Sequence, residues 1–200
     1  AAAPDAAAGA WRSTPAQGVE VRGGEPLVVE TGPHAVLWHQ GEAELAPPYT
    51  LRATLTKRSG RLHEGFGLVF GASGLDGPEA NQVYSYFLVR GDGSFLVKRR
   101  QGAETPVVRD WTTHPAIRRD GEDGGRPAAL EVRVEEGETA FLVNGEEVAR
   151  VPSADLSVRG RVGLRVAHDL RLEVAEFAAT PGGASAAPAG AAPPADSAPR

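Results

Sequence analysis

The sequence predicts an all-β protein, a jelly-roll sandwich of two antiparallel sheets, and three observations support this. Short segments in which apolar and polar residues alternate recur along the chain, as is typical of half-buried strands. Glycine, proline, Asp-Gly and Asn-Gly signals separate these segments at the spacing of turns. No window longer than about ten residues has apolar residues at helical spacing, so we expect no substantial helix. With about a dozen strands, closure into two packed sheets is the economical arrangement.

The clearest strands lie between residues 129 and 151. Leu130, Val132 and Val134 alternate with charged residues, which is the period-two pattern of a strand with one buried face. Strands over 140–143 and 147–151 follow, joined by Asn144-Gly145. That pair favours a two-residue hairpin because both residues tolerate positive φ. We therefore predict a three-stranded meander.

A second meander runs from 83 to 100 and turns at 91–93. Along its first strand, Tyr84, Tyr86, Leu88 and Arg90 should face one side of the sheet, because side chains alternate between the two faces. A last pair of strands, 161–166 and 170–177, is joined by a tight connection at 167–169.

Composition narrows the possible functions. The chain has 200 residues, a formal charge of −5, 41% apolar residues and no cysteine. An acidic balance argues against nucleic-acid binding, which needs a basic surplus. We interpret the one basic run, Lys98-Arg99-Arg100, as a solvated strand end. The lack of cysteine excludes disulfides, thiol nucleophiles and zinc–thiolate sites. No apolar stretch approaches the roughly 18 residues of a membrane span.

The two ends of the chain have the composition of disordered segments. Residues 1–16 and 180–200 are rich in alanine, proline and glycine, so we expect both to be disordered and the folded domain to occupy 17–179. The start is Ala-rich and the chain contains no methionine. This fits cleavage after a signal peptide and predicts a secreted or periplasmic protein, with artificial trimming of the chain as the alternative.

Five segments carry a resemblance to a known superfamily. These are LEVRV at 130–134, AFLVNGEEV at 140–148, GRVGLRV at 160–166, GFGLVFG at 65–71, and YSYFLVR at 84–90 with DGSF at 92–95, followed by Trp111. Together they resemble the concanavalin A-like lectin/glucanase superfamily over about 19–177. The pattern looks most like the laminin-G-like and uncharacterised bacterial branches, including the 3-keto-disaccharide hydrolase type. The resemblance implies carbohydrate contact as the commonest role.

Two features of that superfamily are missing. The glucanase motif Glu-x-Asp-x-x-Glu occurs nowhere in the chain, and the opening typical of the keto-sugar hydrolase branch is absent near the N-terminus. The resemblance therefore predicts the architecture more directly than it predicts catalysis.

The best candidates for ligand contact are aromatic and cationic residues. Sugars stack their C–H faces on aromatic rings while charged groups take the hydroxyls. We expect a groove on the concave sheet with contacts from Tyr84, Tyr86, Arg90, Lys98, Trp111 and His114. The alternative for the tyrosines is packing under a loop with satisfied hydroxyls. We place Trp111 in a loop before Pro115, and we expect Trp38, which follows an apolar strand, to lie in the core.

Catalytic and metal-binding signals are weaker. His63 beside Glu64 could serve as an acid/base pair, although a loop ion pair is the simpler interpretation. The five histidines come from four separate segments and form no i,i+2 or i,i+4 pair, so a zinc site has no support. Calcium is possible, because Asp76, Asn81 and Asp92 lie in glycine-rich loops where oxygen ligands could gather, but turns favour the same residues.

These observations leave three candidate functions. The first is a non-catalytic carbohydrate-binding domain with a glycan or oligosaccharide as partner. The second is a sugar-active hydrolase or lyase that uses Glu64 with His63 or His114. The third is a structural or adhesion domain with a protein partner. An open aromatic groove would favour the carbohydrate-binding domain. A cluster of carboxylates or histidines with perturbed pKa values would favour the enzyme. A flat apolar patch would favour the domain that binds protein.

Overall fold

The computed structural model describes residues 8–182 and contains 14 strands. In chain order they are β1 (Trp11–Thr14), β2 (Val19–Arg22), β3 (Leu27–Thr31), β4 (Ala35–His39), β5 (Tyr49–Ser59), β6 (Phe66–Ser73), β7 (Val83–Arg90), β8 (Ser94–Gln101), β9 (Val107–Thr113), β10 (Ala128–Val134), β11 (Glu138–Val143), β12 (Glu146–Pro152), β13 (Arg161–Val166) and β14 (Arg171–Pro181). Helical structure in this range is confined to single turns at Ala8–Ala10, Glu79–Asn81 and Ser153–Asp155. None of these helices is long and apolar enough to cross a membrane.

The strands form two antiparallel seven-stranded sheets, which confirms the predicted fold class. Sheet A has the order β1-β4-β13-β6-β7-β8-β9, and sheet B has the order β12-β11-β10-β5-β14-β3-β2. Strands that follow one another in sequence often lie in different sheets, as in a jelly roll.

The main core lies between the sheets and follows the alternation in the sequence. Phe87 and Val89 of β7 face inward with Phe95 and Val97 of β8. They meet the inner face of sheet B, where Phe141 approaches Phe87 with ring centroids 5.1 Å apart. Inward side chains of these strands are almost completely buried, so the packed inner faces supply the main apolar burial of the fold.

The predicted hairpin geometry is confirmed at Asn144-Gly145. Both residues have positive φ, 53° and 83°, as a tight two-residue turn of this hand requires. The Asn144 side chain also accepts a hydrogen bond from the Ala129 amide at 3.0 Å and donates one to the Ala116 carbonyl at 2.8 Å. The turn is thereby tied to strand β10 and to the segment after β9.

Several local expectations need correction. The strands β13 and β14 follow each other through the expected short connection at 167–169, but they lie in different sheets, so this connection crosses the sandwich. Trp111 lies in β9 and not in a loop. Arg100, expected to be solvated, is buried.

The N-terminal boundary also differs from the expected one. Strand β1 lies within 1–16 and pairs with β4, and Trp11 is part of the main core. Its indole packs edge-on against Phe177 with ring centroids 5.2 Å apart. The expectations for 1–7 and 183–200 fall outside the described residues.

A buried ion pair ties the segment after β9 to sheet B. Lys57 on β5 is 2% exposed, and its Nζ lies 2.5 Å from Oδ2 of Asp120. The same Nζ donates to the Arg61 carbonyl at 3.1 Å. The lysine charge is therefore compensated, as a buried charge must be.

Candidate carbohydrate-binding face

The outer face of sheet A combines aromatic rings with cationic side chains. Paired residues of neighbouring strands share a face, so one row across the sheet can be read from the register. It consists of Arg12, Trp38, Gly163, Val69, Tyr86 and Lys98. The neighbouring row contains Arg165 of β13 and Leu88 of β7, with Gly67 between them. These residues occupy the strand positions that alternate with those of the main core.

This face has an apolar cluster of its own. Trp38, expected in the core, is buried, but it packs in this second cluster with Tyr84, Tyr86 and Leu88, outside the main core. Leu75 joins the same cluster although it belongs to the segment 74–82 that connects β6 and β7. The segment is anchored further by Gln82, whose side chain donates to the Thr14 hydroxyl at 3.3 Å. Segment 74–82 therefore packs against the outer face and covers part of it.

Tyr84 and Tyr86 are buried in this cluster. They are 2% and 4% exposed, so neither ring offers a free face to a sugar in this structure. The Tyr84 hydroxyl accepts hydrogen bonds from Arg100 Nε at 3.1 Å and from Arg165 Nη1 at 3.3 Å. Arg165 also lies over Tyr86, with Cζ 4.8 Å from the ring centroid. The two tyrosines thus hold Arg100 and Arg165 in place. Burial also raises the pKa of the Tyr86 hydroxyl.

Trp111 and Arg90 form the more open part of the face. Arg90 Cζ lies 4.0 Å from the centroid of the partly exposed Trp111 ring. Asp92 Oδ2 and the Ser94 hydroxyl accept from Arg90 Nε at 2.9 and 3.0 Å. Within residues 8–182 the Nη groups of Arg90 make no hydrogen bond, and the side chain is 21% exposed.

Asp92 orients this arginine and remains ionised. Burial would raise the pKa of Asp92, but hydrogen bonds from Ser94 and the nearby charge of Arg90 outweigh burial and lower it. The carboxylate is therefore occupied by protein donors.

The other proposed metal ligands lie far from Asp92. Asp76 and Asn81 are in segment 74–82 at the opposite end of β7, and a strand of eight residues spans roughly 26 Å. The three do not share a loop cluster. Within the described range, no group of three or more His, Cys, Asp or Glu side chains is arranged to hold a metal ion.

The candidate acid/base residues His63, Glu64 and His114 do not come together in one site. His63 is exposed and lies 3.8 Å from Asp92, while Glu64 lies 3.2 Å from Arg61 and 3.8 Å from Nδ1 of His168. His63 and Glu64 therefore have different partners. His114 lies at the end of the sandwich, where its Nδ1 accepts from the Ala116 amide at 3.1 Å, and not on the outer face of sheet A.

Sequence reasoning did not identify the contact between His34 and His168. Nδ1 of His34 lies 3.4 Å from Nε2 of His168, although the residues are 134 positions apart. Burial, together with the charge of Arg165, lowers the pKa of His34. No local pattern in the sequence predicts this pair.

Arg165 is the second site residue that sequence reasoning did not identify, although a signal for it existed. Val162, Leu164 and Val166 alternate inward, which directs Arg161 and Arg165 outward onto the same face as Tyr86. Within residues 8–182, the ion pairs on this face are Arg90–Asp92 and Arg100–Glu79. Arg161, Arg165 and Lys98 take part in no ion pair in that range.

Two cavities of different character lie on the two sheets. The larger, about 650 Å³, is on sheet B between β5, β10 and β14. Its lining is mostly alanine, threonine and glutamate, and its one aromatic residue, Phe177, is buried. The smaller, about 380 Å³, lies between segment 74–82 and the start of β4, and Tyr84, Arg100 and Arg165 line it. We regard the sheet A face as the candidate site because it combines aromatic and cationic groups.

No protein-family model matches the sequence, and a comparison with curated proteins gives no match. Solved structures do match. The carbohydrate-binding module CBM66 from Bacillus subtilis is 12% identical with a TM-score of 0.67, covering 86% of this chain and 96% of that one. The carbohydrate recognition domain of Emp46p in its metal-free form is 14% identical with a TM-score of 0.57, covering 85% and 89%. An endo-β-1,3-glucanase from Pyrococcus furiosus is 13% identical with a TM-score of 0.51, covering 78% and 74%.

Similarity at this level of identity shows the fold. The matches include a carbohydrate-binding module, a carbohydrate recognition domain and a glucanase, and the chain shares their fold. The chain therefore has the concanavalin A-like jelly-roll fold.

Proposed function

We propose that this chain is a carbohydrate-recognition domain that binds glycans on the outer face of sheet A. The observation that carries the proposal is the set of fixed hydrogen-bond donors beside aromatic rings on that face. Arg90 is held against Trp111 at 4.0 Å, and its Nη groups have no partner within residues 8–182. Sugar hydroxyls accept such hydrogen bonds while C–H groups contact the apolar ring.

In this proposal the predicted contacts divide into two groups. Trp111, Arg90 and Lys98 are partly exposed and touch the glycan directly. Tyr84 and Tyr86 act from below by holding the arginines. His114 lies outside the contact surface because it is at the end of the sandwich. The fold neighbours named as carbohydrate-binding domains support the same function.

The proposal includes an extracytoplasmic location and no catalytic step. On the outer face of sheet A, Glu79 and Asp92 each bind an arginine, so neither is positioned as a free acid or base. A glycosidase needs two carboxylates facing each other across the bond that is cleaved.

Binding to a panel of soluble polysaccharides, measured by affinity electrophoresis and calorimetry, tests this function. Trp111→Ala should weaken binding by about tenfold or more, since one aromatic contact contributes roughly 1–3 kcal/mol in comparable stacked sites. Arg52→Gln is the matched control, because Arg52 is an exposed arginine on sheet B. If no polysaccharide binds, or if Trp111→Ala binds as the native chain does, the proposal fails and the protein-binding alternative gains weight.

A second candidate, a sugar-active hydrolase or lyase, has one observation in its favour. Glu64 lies beside His168, which contacts His34, so a carboxylate and two imidazoles adjoin one end of the same face. Acid/base catalysis uses such groups. Incubation of bound glycans followed by mass spectrometry of the products tests it. Products formed by the native chain and lost in Glu64→Gln would establish an enzyme, and unchanged glycans would exclude one for that panel.

A further inference from the structure

We propose that the cavity under segment 74–82 binds an acidic sugar unit through its carboxylate. This inference rests on the proposed function and names the glycan class. The cavity measures about 380 Å³. Pockets for small ligands span roughly 300 to 1,000 Å³, so it suits one or two sugar rings.

The charges around the cavity leave a positive surplus. Arg165 and Arg100 both line it. Arg100 is compensated by Glu79, whose Oε1 lies 2.6 Å from Nη1. Arg165 has no carboxylate partner within the described residues, although it is partly buried. A chain with a formal charge of −5 therefore keeps an uncompensated cation at the floor of a cavity.

The geometry of Arg165 suits a carboxylate in particular. Its Nη1 donates to the Tyr84 hydroxyl at 3.3 Å, and its Cζ lies 4.8 Å from the Tyr86 ring centroid, so two contacts hold the guanidinium. Within residues 8–182 its Nη2 and Nε make no hydrogen bond. A fixed guanidinium with free donors favours a planar, bidentate anion over a neutral hydroxyl.

The other polar groups that line the cavity add no further positive charge, so the cavity suits a ligand with a single negative charge. His34 lines the cavity, and its lowered pKa leaves the imidazole neutral at pH 7. Glu79 is exposed on the outer side of the cavity. Its carboxylate binds Arg100 and repels an incoming anion, so it limits affinity.

The test compares acidic oligosaccharides with their neutral counterparts. Oligogalacturonate, oligomannuronate and hyaluronan oligosaccharides are each titrated into the full chain by calorimetry, beside the same oligosaccharide with its carboxyl groups reduced to hydroxymethyl groups. We expect at least one acidic form to bind about tenfold more tightly than its reduced form, since charge-assisted bidentate bonds are the strong ones.

Three variants locate the effect. Arg165→Gln should remove this tenfold preference, so that the acidic and reduced forms bind with similar affinity. Arg165→Lys keeps the positive charge but loses the two parallel donors of the guanidinium, so it should retain only part of the preference. This variant separates bidentate recognition from electrostatic attraction. Glu79→Gln should tighten binding of the acidic form by about threefold, because it removes the competing carboxylate. Arg52→Gln on sheet B should change nothing.

The outcomes separate the two proposals. If the acidic and reduced forms bind equally, or if Arg165→Gln keeps the preference while its circular dichroism is native, this inference is overturned and the proposed function stands. If no acidic, reduced or neutral glycan binds, the proposed function falls and the inference falls with it. A preference lost in Arg165→Gln and retained in Arg52→Gln supports both.

Discussion

Arg165 lies over the ring of Tyr86 with its guanidinium carbon 4.8 Å from the ring centroid, although β6 separates their strands β13 and β7. Gly67 is aligned with Arg165 on the intervening strand, and a Cβ there would meet the Phe87 carbonyl oxygen of β7. The arginine crosses the sheet and reaches the Tyr84 hydroxyl. This arrangement fixes a cation on the outer face of sheet A and underlies the binding proposals.

Removing the Tyr84 hydroxyl should destabilise the fold. Tyr84→Phe leaves the buried Nε of Arg100 without its acceptor, and an unsatisfied buried donor costs about 1–3 kcal/mol. Urea denaturation measures the change. Tyr86→Phe is the matched control, because the Tyr86 hydroxyl makes no hydrogen bond within residues 8–182. Equal losses in the two variants would contradict the role assigned to Tyr84.

Two tryptophans on the same face should respond differently to truncation. Trp38→Ala should cost about 3–5 kcal/mol, since the ring is 4% exposed and its removal leaves a cavity. Trp111→Ala should cost only about 1 kcal/mol, because the ring is partly exposed on an edge strand and loses one stacked arginine. Thermal and chemical denaturation compare them. A larger loss for Trp111 than for Trp38 would be inconsistent with this packing.

His34 should make stability depend on pH near neutrality. Burial and the charge of Arg165 lower its pKa in the folded state below the ordinary 6.5. The unfolded state then binds more protons between the two pKa values, so stability is full above about pH 6.5 and declines as the pH falls through the lowered pKa. The charged and titratable groups that influence His34 are Arg165, His168, Glu79 and Arg100.

The variant His34→Gln isolates this effect. As the pH falls from 7.5 to about 5, the melting temperature of the native chain should fall relative to that of the variant. A constant difference across this range would show that His34 protonates equally in both states.

Removing one partner of the Lys57–Asp120 pair should lower the free energy of unfolding far more than removing both charges. Asp120→Asn leaves the lysine charge buried and uncompensated, so we expect a loss of about 3–5 kcal/mol. The double variant Lys57→Met, Asp120→Asn should recover most of that loss, because no charge remains. Urea denaturation of the single and double variants checks this, and additive losses would contradict a coupled pair.

The fold was predictable because its information is local. Leu130, Val132 and Val134 show which face of β10 is buried, and Asn144-Gly145 fixes the next turn. The same local signals do not report which sheet a strand joins. The short connection at 167–169, for example, does not reveal that β13 and β14 lie in opposite sheets.

The candidate site was predictable only in part, for the same reason. Alternation correctly put Tyr84, Tyr86 and Arg90 on one face. It could not show that the tyrosines are buried in a cluster that includes Leu75 of segment 74–82, since this cluster depends on a contact between elements. The pairing of His34 with His168 also depends on tertiary structure, because it joins positions 134 residues apart.

Chemical-shift mapping with a bound glycan tests the central claim most directly. Titration of the isotope-labelled chain with a binding oligosaccharide should perturb the amides of β7, β8, β9 and β13 and the indole N–H of Trp111. Perturbations centred on Arg52, Thr54 and Glu131, which line the larger cavity on sheet B, would contradict the claim and move the binding site to the opposite sheet.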